Sequence, residues 1–77
     1  MSHEESLITT RRASEILQVH VRTVRKWIDS FQEYVLPQIN EKGHYIMTPE
    51  SFMRLKEIKV RMQDSNKSMR QLKEELV

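Results

Sequence analysis

The stretch from Thr9 to Trp27, TTRRASEILQVHVRTVRKW, constrains what this chain can fold into more than any other. Ala13, Ile16 and Leu17 recur at helical spacing, and so do Val24, Trp27, Ile28 and Phe31. Each set lines one face of an α-helix. Between the two runs stand only Gln18, Val19 and His20, which is room for a sharp turn and nothing longer. Two short helices joined this way pack their apolar stripes inward together. That leaves Arg11, Arg12, Arg22, Arg25 and Lys26 facing away from the stripes.

The net charge of the 77 residues is only +2, too small to point to a partner class. Its distribution is more telling. Residues 9–28 hold those five bases against a single acid, Glu15, while the remainder of the chain carries two more acids than bases. Positive charge concentrated on two helices at a sharp turn is the electrostatic footprint expected of a helix-turn-helix, whose second helix enters a DNA major groove. The competing reading is a solvated polar face, and the helical pattern beside it favours phosphate binding. Arg pairs with guanine edges bidentately, Thr contacts a thymine methyl and Lys holds phosphate. Arg22, near the N-terminal end of the second helix, is the leading candidate for a base contact, with Arg25 beside it and Lys26 on backbone. Thr23 either reaches the groove or helps hold the helix in place. Thr10, Arg11 and Arg12 occupy the opening turn of the first helix; two arginines there oppose the helix dipole, which makes sense beside a phosphate.

The rest of the chain supplies supports. Residues 1–6 read as a disordered polar lead. Leu7 and Ile8 form a strand stub or a staple onto the first helix, which is capped by Thr9 or Thr10 and runs to about Leu17. The second helix spans about Val21 to Phe31 or Gln32. Residues 32–38 read as a connector in which Tyr34, Val35 and Leu36 tuck against the core and Pro37 disfavours helix at Leu36. Residues 39–47, around the only glycine, Gly43, read as a hairpin, with Lys42 and His44 at its tip. His44 either reaches phosphate or stands as an ordinary loop histidine. Thr48-Pro49-Glu50 opens a helix that turns Phe52, Leu55, Ile58 and Met62 inward. Arg54 falls on its outer face, where it could brace a phosphate, and Glu57 and Arg61 form an i,i+4 pair. The pattern breaks at Asp64–Lys67, and Ser68 with Gln71 makes a capping box for a last helix bearing Met69, Leu72 and Leu76. The division expected is 1–6, a domain over 7–64, and a C-terminal helix over 65–77 that packs on the domain or leads into a region beyond it. The pattern runs to Val77 with no stop signal, as in a fragment of a longer protein or a helix that frays at its end.

These motifs resemble the winged helix-turn-helix of MerR-like proteins, a group that includes MerR regulators, small phage excisionases and RacA-type chromosome-anchoring proteins. Ala13, Leu17, Val19, Thr23, Val24, Arg25 and Trp27 fall on positions the pattern favours. Gly43-His44-Tyr45 followed by Thr48-Pro49-Glu50-Ser51 is most similar to the RacA-type branch. Two departures stand out: Gln18 where the family favours Gly, whose freedom suits a left-handed turn, and His20 where it favours a Ser cap. The resemblance implies a mainly α fold of about four helices with a small β-hairpin wing. It also implies double-stranded DNA as partner, the second helix (21–31) in the major groove and the wing (39–47) on adjacent backbone or minor groove. It further implies self-association through a region beyond residue 77 or on DNA. Transcription control, excisionase-like DNA architecture and chromosome or plasmid organisation would all use these surfaces; the wing tilts the choice toward the organising role, in the cytoplasm on the nucleoid.

Other classes find little support. Hydrophobic residues at 38% and charged residues at 31% suit a globular chain. No apolar run reaches the ~20 residues of a membrane span, and no membrane contact is expected. There is no cysteine, and His3, His20 and His44 lie far apart with no Glu or Asp read at ligand spacing, so no metal site is expected. No acid pair, nucleophile set or phosphate loop marks an enzyme, and no cofactor is expected. A protein-interaction module, built on an adaptable face of Met53, Met62, Met69 and Leu76, is the alternative from another class.

Overall fold

A computed structural model describes residues 7–65 and 68–76. Residues 1–6, 66, 67 and 77, on which the expected polar lead and the second half of the expected break at Asp64–Lys67 fall, lie outside the described residues. The elements run β1 (Ile8–Thr9), α1 (Thr10–Leu17), α2 (Val21–Ser30), α3 (Gln32–Val35), β2 (Gln38–Ile39), β3 (Tyr45–Met47), α4 (Pro49–Ser65) and α5 (Met69–Leu76). The architecture is mainly helical with a small antiparallel sheet, as a winged helix-turn-helix requires.

The core gathers one to three side chains from each helix and from β3. Ala13 of α1, Val24 and Ile28 of α2, Phe31, Val35 of α3, Met47 of β3, Leu55 and Ile58 of α4 and Leu72 of α5 are fully buried, and Leu17 and Trp27 nearly so. Each large apolar side chain so placed contributes about 1.5–3 kcal/mol relative to exposure. Phe52, Met62, Met69 and Leu76 pack half-buried around this centre. Met53 stands apart from them at 59% exposure, so the four-residue face Met53, Met62, Met69 and Leu76 expected for a protein partner does not exist as one surface.

The sheet has the order β1-β3-β2. Ile8 faces Met47 and Thr9 faces Ile46 on one side of β3; Gln38 faces Ile46 and Ile39 faces Tyr45 on the other. The hairpin of residues 39–47 is therefore widened by the strand stub before α1. Because Thr9 ends β1 and also caps α1, accepting the Arg12 N–H at 3.1 Å, the sheet fastens the wing directly to the start of the first helix.

Four sequence expectations need correction. Ile16 is 47% exposed, since Thr10, Ala13 and Leu17 form the buried side of α1. The connector 32–38 begins as a helical turn, α3, because Phe31 interrupts α2 at φ −120° and restarts the chain without ending the helical run. Leu36 does not tuck inward; it closes α3 in a left-handed conformation (φ 55°) with its side chain in solvent. The fourth helix continues through Ser65 instead of breaking at Asp64.

The long helix α4 opens as its sequence indicates. Thr48 Oγ1 accepts the Ser51 N–H at 3.1 Å. The buried Ser51 hydroxyl donates to the Leu36 carbonyl at 3.1 Å, which joins this helix start to the end of α3. At α5, Ser68 Oγ accepts the Gln71 N–H and Gln71 Oε1 accepts the Ser68 N–H, both at 3.1 Å, the reciprocal pattern of a capping box.

Candidate nucleic-acid interface

The geometry of the turn sets the rest. Gln18 takes φ 59° and ψ 44°, the left-handed conformation that glycine adopts without cost. Its own N–H and that of Val19 both return to the Ser14 carbonyl, closing α1. His20 then caps α2 through its ring: Nδ1 accepts the Arg22 N–H at 3.0 Å, while its carbonyl accepts from Thr23 and Val24. A side-chain acceptor at this place satisfies one of the orphan donors of the helix start, as Ser does in fewer atoms. The two departures from the favoured residues thus leave the turn intact.

Helix α2 hangs from the core by Val24, Trp27 and Ile28, which fixes what its other side presents. Arg22, Arg25 and Lys26 are exposed, and Thr23 is half-buried. Among the described residues no carboxylate lies in ion-pair range of any of these three bases. Arg11 on α1 and Lys42 on the wing are likewise exposed and unpaired there. Arg12 differs: its Nη1 meets Glu15 Oε1 at 3.3 Å, a contact with both side chains more than half in water and therefore weak.

A cleft of about 420 Å³ opens where the three parts meet. Thr10 and Arg11 line it from α1, Arg25 from α2, and Asn40, His44 and Tyr45 from the wing. Four of the nine residues singled out in the sequence, Thr10, Arg11, Arg25 and His44, are thereby brought to one place. Arg22, Thr23 and Lys26 belong to α2 and Lys42 to the wing tip, and none of them lines the cleft. Thr10 is buried, so its side chain forms the wall of the cleft and not a reaching arm.

Asn40 and Tyr45 also line the cleft, and neither is among the nine candidates. The Asn40 side chain organises the wing tip: Oδ1 accepts the Lys42 N–H at 2.9 Å and the His44 N–H at 3.0 Å. Gly43 sits at φ 82° within this tip, with open space where a side chain would begin. An Asn placed before a polar Gly turn is a sequence signal for such a closed loop. Tyr45 ties the wing to the far end of α2. Its hydroxyl donates to Asp29 Oδ1 at 2.5 Å and accepts from Gln32 Nε2 at 2.7 Å. The hydrogen bond to Asp29, aided by burial, raises the pKa of the phenol above its usual 10.0. No local sequence pattern announces this bond, because its partners lie 16 and 13 residues apart.

Arg54 is engaged within the protein. Its Nη1 donates to the Tyr34 carbonyl at 3.0 Å, its Nη2 meets Glu50 at 3.4 Å, and its guanidinium lies 5.7 Å from the Tyr34 ring centre. The Tyr34 hydroxyl in turn donates to Glu57 Oε1 at 2.7 Å, and Glu57 Oε2 meets Arg61 at 2.7 Å. Arg54 braces the α3–α4 junction.

The sequence profile of the MerR HTH family regulatory proteins matches residues 8–76. The chain belongs to the MerR helix-turn-helix family. Membership brings DNA binding and transcription regulation in general to the arrangement just described, and this family is one of regulators, not enzymes. No individual curated protein matches the chain. Among the described residues no three His, Asp or Glu side chains converge as metal ligands, and no helix is long and apolar enough to cross a membrane.

Proposed function

We propose that this MerR-family domain binds duplex DNA with α2 in the major groove and the wing on the flanking backbone or minor groove. Arg22, Thr23 and Arg25 face the base edges; Lys26, Arg11 and Arg12 hold phosphates beside them; Lys42 and His44 carry the grip outward along the strand. Thr10 shapes the wall between Arg11 and Arg25. One observation supports this reading above others: the bases of α2 stand in solvent, opposite its buried Val24, Trp27 and Ile28, and Arg25 shares a cleft with Arg11 and the wing.

Fluorescence anisotropy against short duplexes at two or more salt concentrations tests it. With about four phosphates neutralised, log K falls against log salt with a slope near −3.6. Arg22→Ala and Arg25→Ala each cost about 1–3 kcal/mol if the side chain pairs with a base edge. Lys42→Ala weakens all sequences alike and reduces the slope by about 1. Salt-independent binding, or arginine variants that bind as the parent does, would refute the assignment.

In the cell we place the domain on the nucleoid as an organising or segregation factor, on the strength of the Gly43-His44-Tyr45 wing and the Thr48-Pro49-Glu50-Ser51 helix start. Genome-wide occupancy tests this: broad, dispersed binding is expected, whereas binding confined to a few promoters would make the domain a local transcription regulator.

A further inference from the structure

His20 is not among the positions assigned to DNA above, and the cap it provides occupies only one edge of its ring. Nδ1 accepts the Arg22 N–H at 3.0 Å. A ring nitrogen that accepts carries no proton, so the imidazole is neutral and its proton sits on Nε2, on the other edge. The residue is exposed, and among the described residues that Nε2–H donor has no partner.

The cap fixes where this donor points. It seats the ring against the first turn of α2 beside Arg22, with Nδ1 toward the helix and Nε2 therefore away from it. Val24, Trp27 and Ile28 hold one side of α2 in the core, and Arg22 leaves the helix exposed on the other. The free donor thus shares its end of α2 with the leading candidate for a base contact. A ring pinned to the helix end cannot extend toward a base edge at the groove floor, as an arginine can, but the phosphates line the groove walls and accept from neutral side chains. A donor already held in place also loses little freedom on binding. We infer that His20 donates its Nε2–H to a backbone phosphate beside the groove that α2 enters, so that one ring both caps the helix and registers it on the strand. The inference rests on the DNA reading above and adds a neutral contact to its charged ones. A serine would supply the cap but would end short of the ring's outer edge, so the histidine at this place adds a contact that the cap alone does not need.

Thermal melts and fluorescence anisotropy of the whole chain on two duplexes of unrelated sequence, at several salt concentrations, separate the two roles of the ring. His20→Ser keeps the cap acceptor and removes the outer donor. It should melt as the parent does and bind both duplexes about tenfold or more weakly, the loss expected of a hydrogen bond to a charged group. The slope of log K against log salt should stay as in the parent, because a neutral donor releases no counterion. His20→Asn, a second good cap without the ring's reach, should behave the same way. His20→Ala should lose the affinity and lower the melt as well. If the Ser and Asn variants bind as the parent does while Arg25→Ala is weakened, this inference fails and the DNA reading stands. A loss confined to one of the two sequences would also overturn it, since a phosphate contact serves both alike. A parent without salt-dependent binding to either duplex would overturn it together with the DNA reading.

Discussion

Replacing Gln18 by glycine should stabilise the domain. Gln18 is held at φ 59° between α1 and α2, with its side chain in solvent. A non-glycine residue in this conformation costs about 1–2 kcal/mol, because Cβ crowds the following carbonyl. Glycine removes that cost but loosens the unfolded chain, which takes back about 0.4–1 kcal/mol. The backbone bonds to the Ser14 carbonyl are unaffected, and no buried contact is lost. The net gain therefore lies between about 0 and 1.6 kcal/mol, with its centre near about 0.8 kcal/mol, which for a domain of this size raises Tm by about 3–6 °C. Thermal unfolding followed by circular dichroism reads the shift, and a urea series should show a higher midpoint with the same slope. Gln18→Val serves as the opposite control, since a β-branched side chain is still less tolerant of positive φ. If Gln18→Gly melts at or below the parent temperature, the turn is not left-handed and the account of the departure at this position fails.

Other expectations follow from single contacts. His20→Ala removes the ring acceptor of the Arg22 N–H and should cost about 1 kcal/mol, whereas His20→Ser should recover the cap; both are read by thermal melts. Leu72→Ala should cost about 2–5 kcal/mol in urea unfolding, since Leu72 is fully buried with the core of the other elements; an unchanged midpoint would mean that α5 does not pack there. The Glu57 carboxyl is held below its usual 4.5, first by the Tyr34 hydroxyl and then by Arg61. Its stabilising effect is therefore present above pH 4.5 and lost as pH falls through the lowered value. Acid titration of stability should be shallower in Glu57→Gln. Tyr45→Phe deletes the bonds to Asp29 and Gln32 and should cost about 0.5–1.5 kcal/mol, with DNA affinity measured beside the melt.

The legible parts of this fold are those that local chemistry writes. Two apolar stripes separated by three residues could only be a helical pair, and the Thr48-Pro49 and Ser68–Gln71 signals set the starts of α4 and α5. What escaped notice depends on distant partners. Ile16 has the right spacing for the core, but spacing cannot say that Thr10, Ala13 and Leu17 already form the buried side of α1. Leu36 looked like packing because it is apolar, yet the chain needed a left-handed residue at the end of α3 more than another core side chain. Arg54 looked free because its partner is a backbone carbonyl, Tyr34, 20 residues earlier. The candidate bases of α2 were legible for the opposite reason. Their placement follows from the periodicity of one helix, and needs no knowledge of what lies across the core.

The same contrast bears on how the candidate interface keeps its shape. The apolar core holds α2 by one side and fixes its rotation, and so determines which side chains face outward. It does not set the distance between α2 and the wing, because the wing tip from Asn40 to His44 contributes nothing to the core. Polar contacts set that distance. β1 pairs with β3 and ends at the Thr9 cap of α1, which places the wing against the first helix. The Tyr45 hydroxyl joins Asp29, which places the wing against the second. Met47 of β3 holds the base of the wing in the core, and the two polar tethers run to different helices. The cleft between Arg11, Arg25 and His44 therefore depends on both tethers, and Tyr45→Phe, which keeps the ring against the core, should alter its width while every fully buried apolar side chain stays in place.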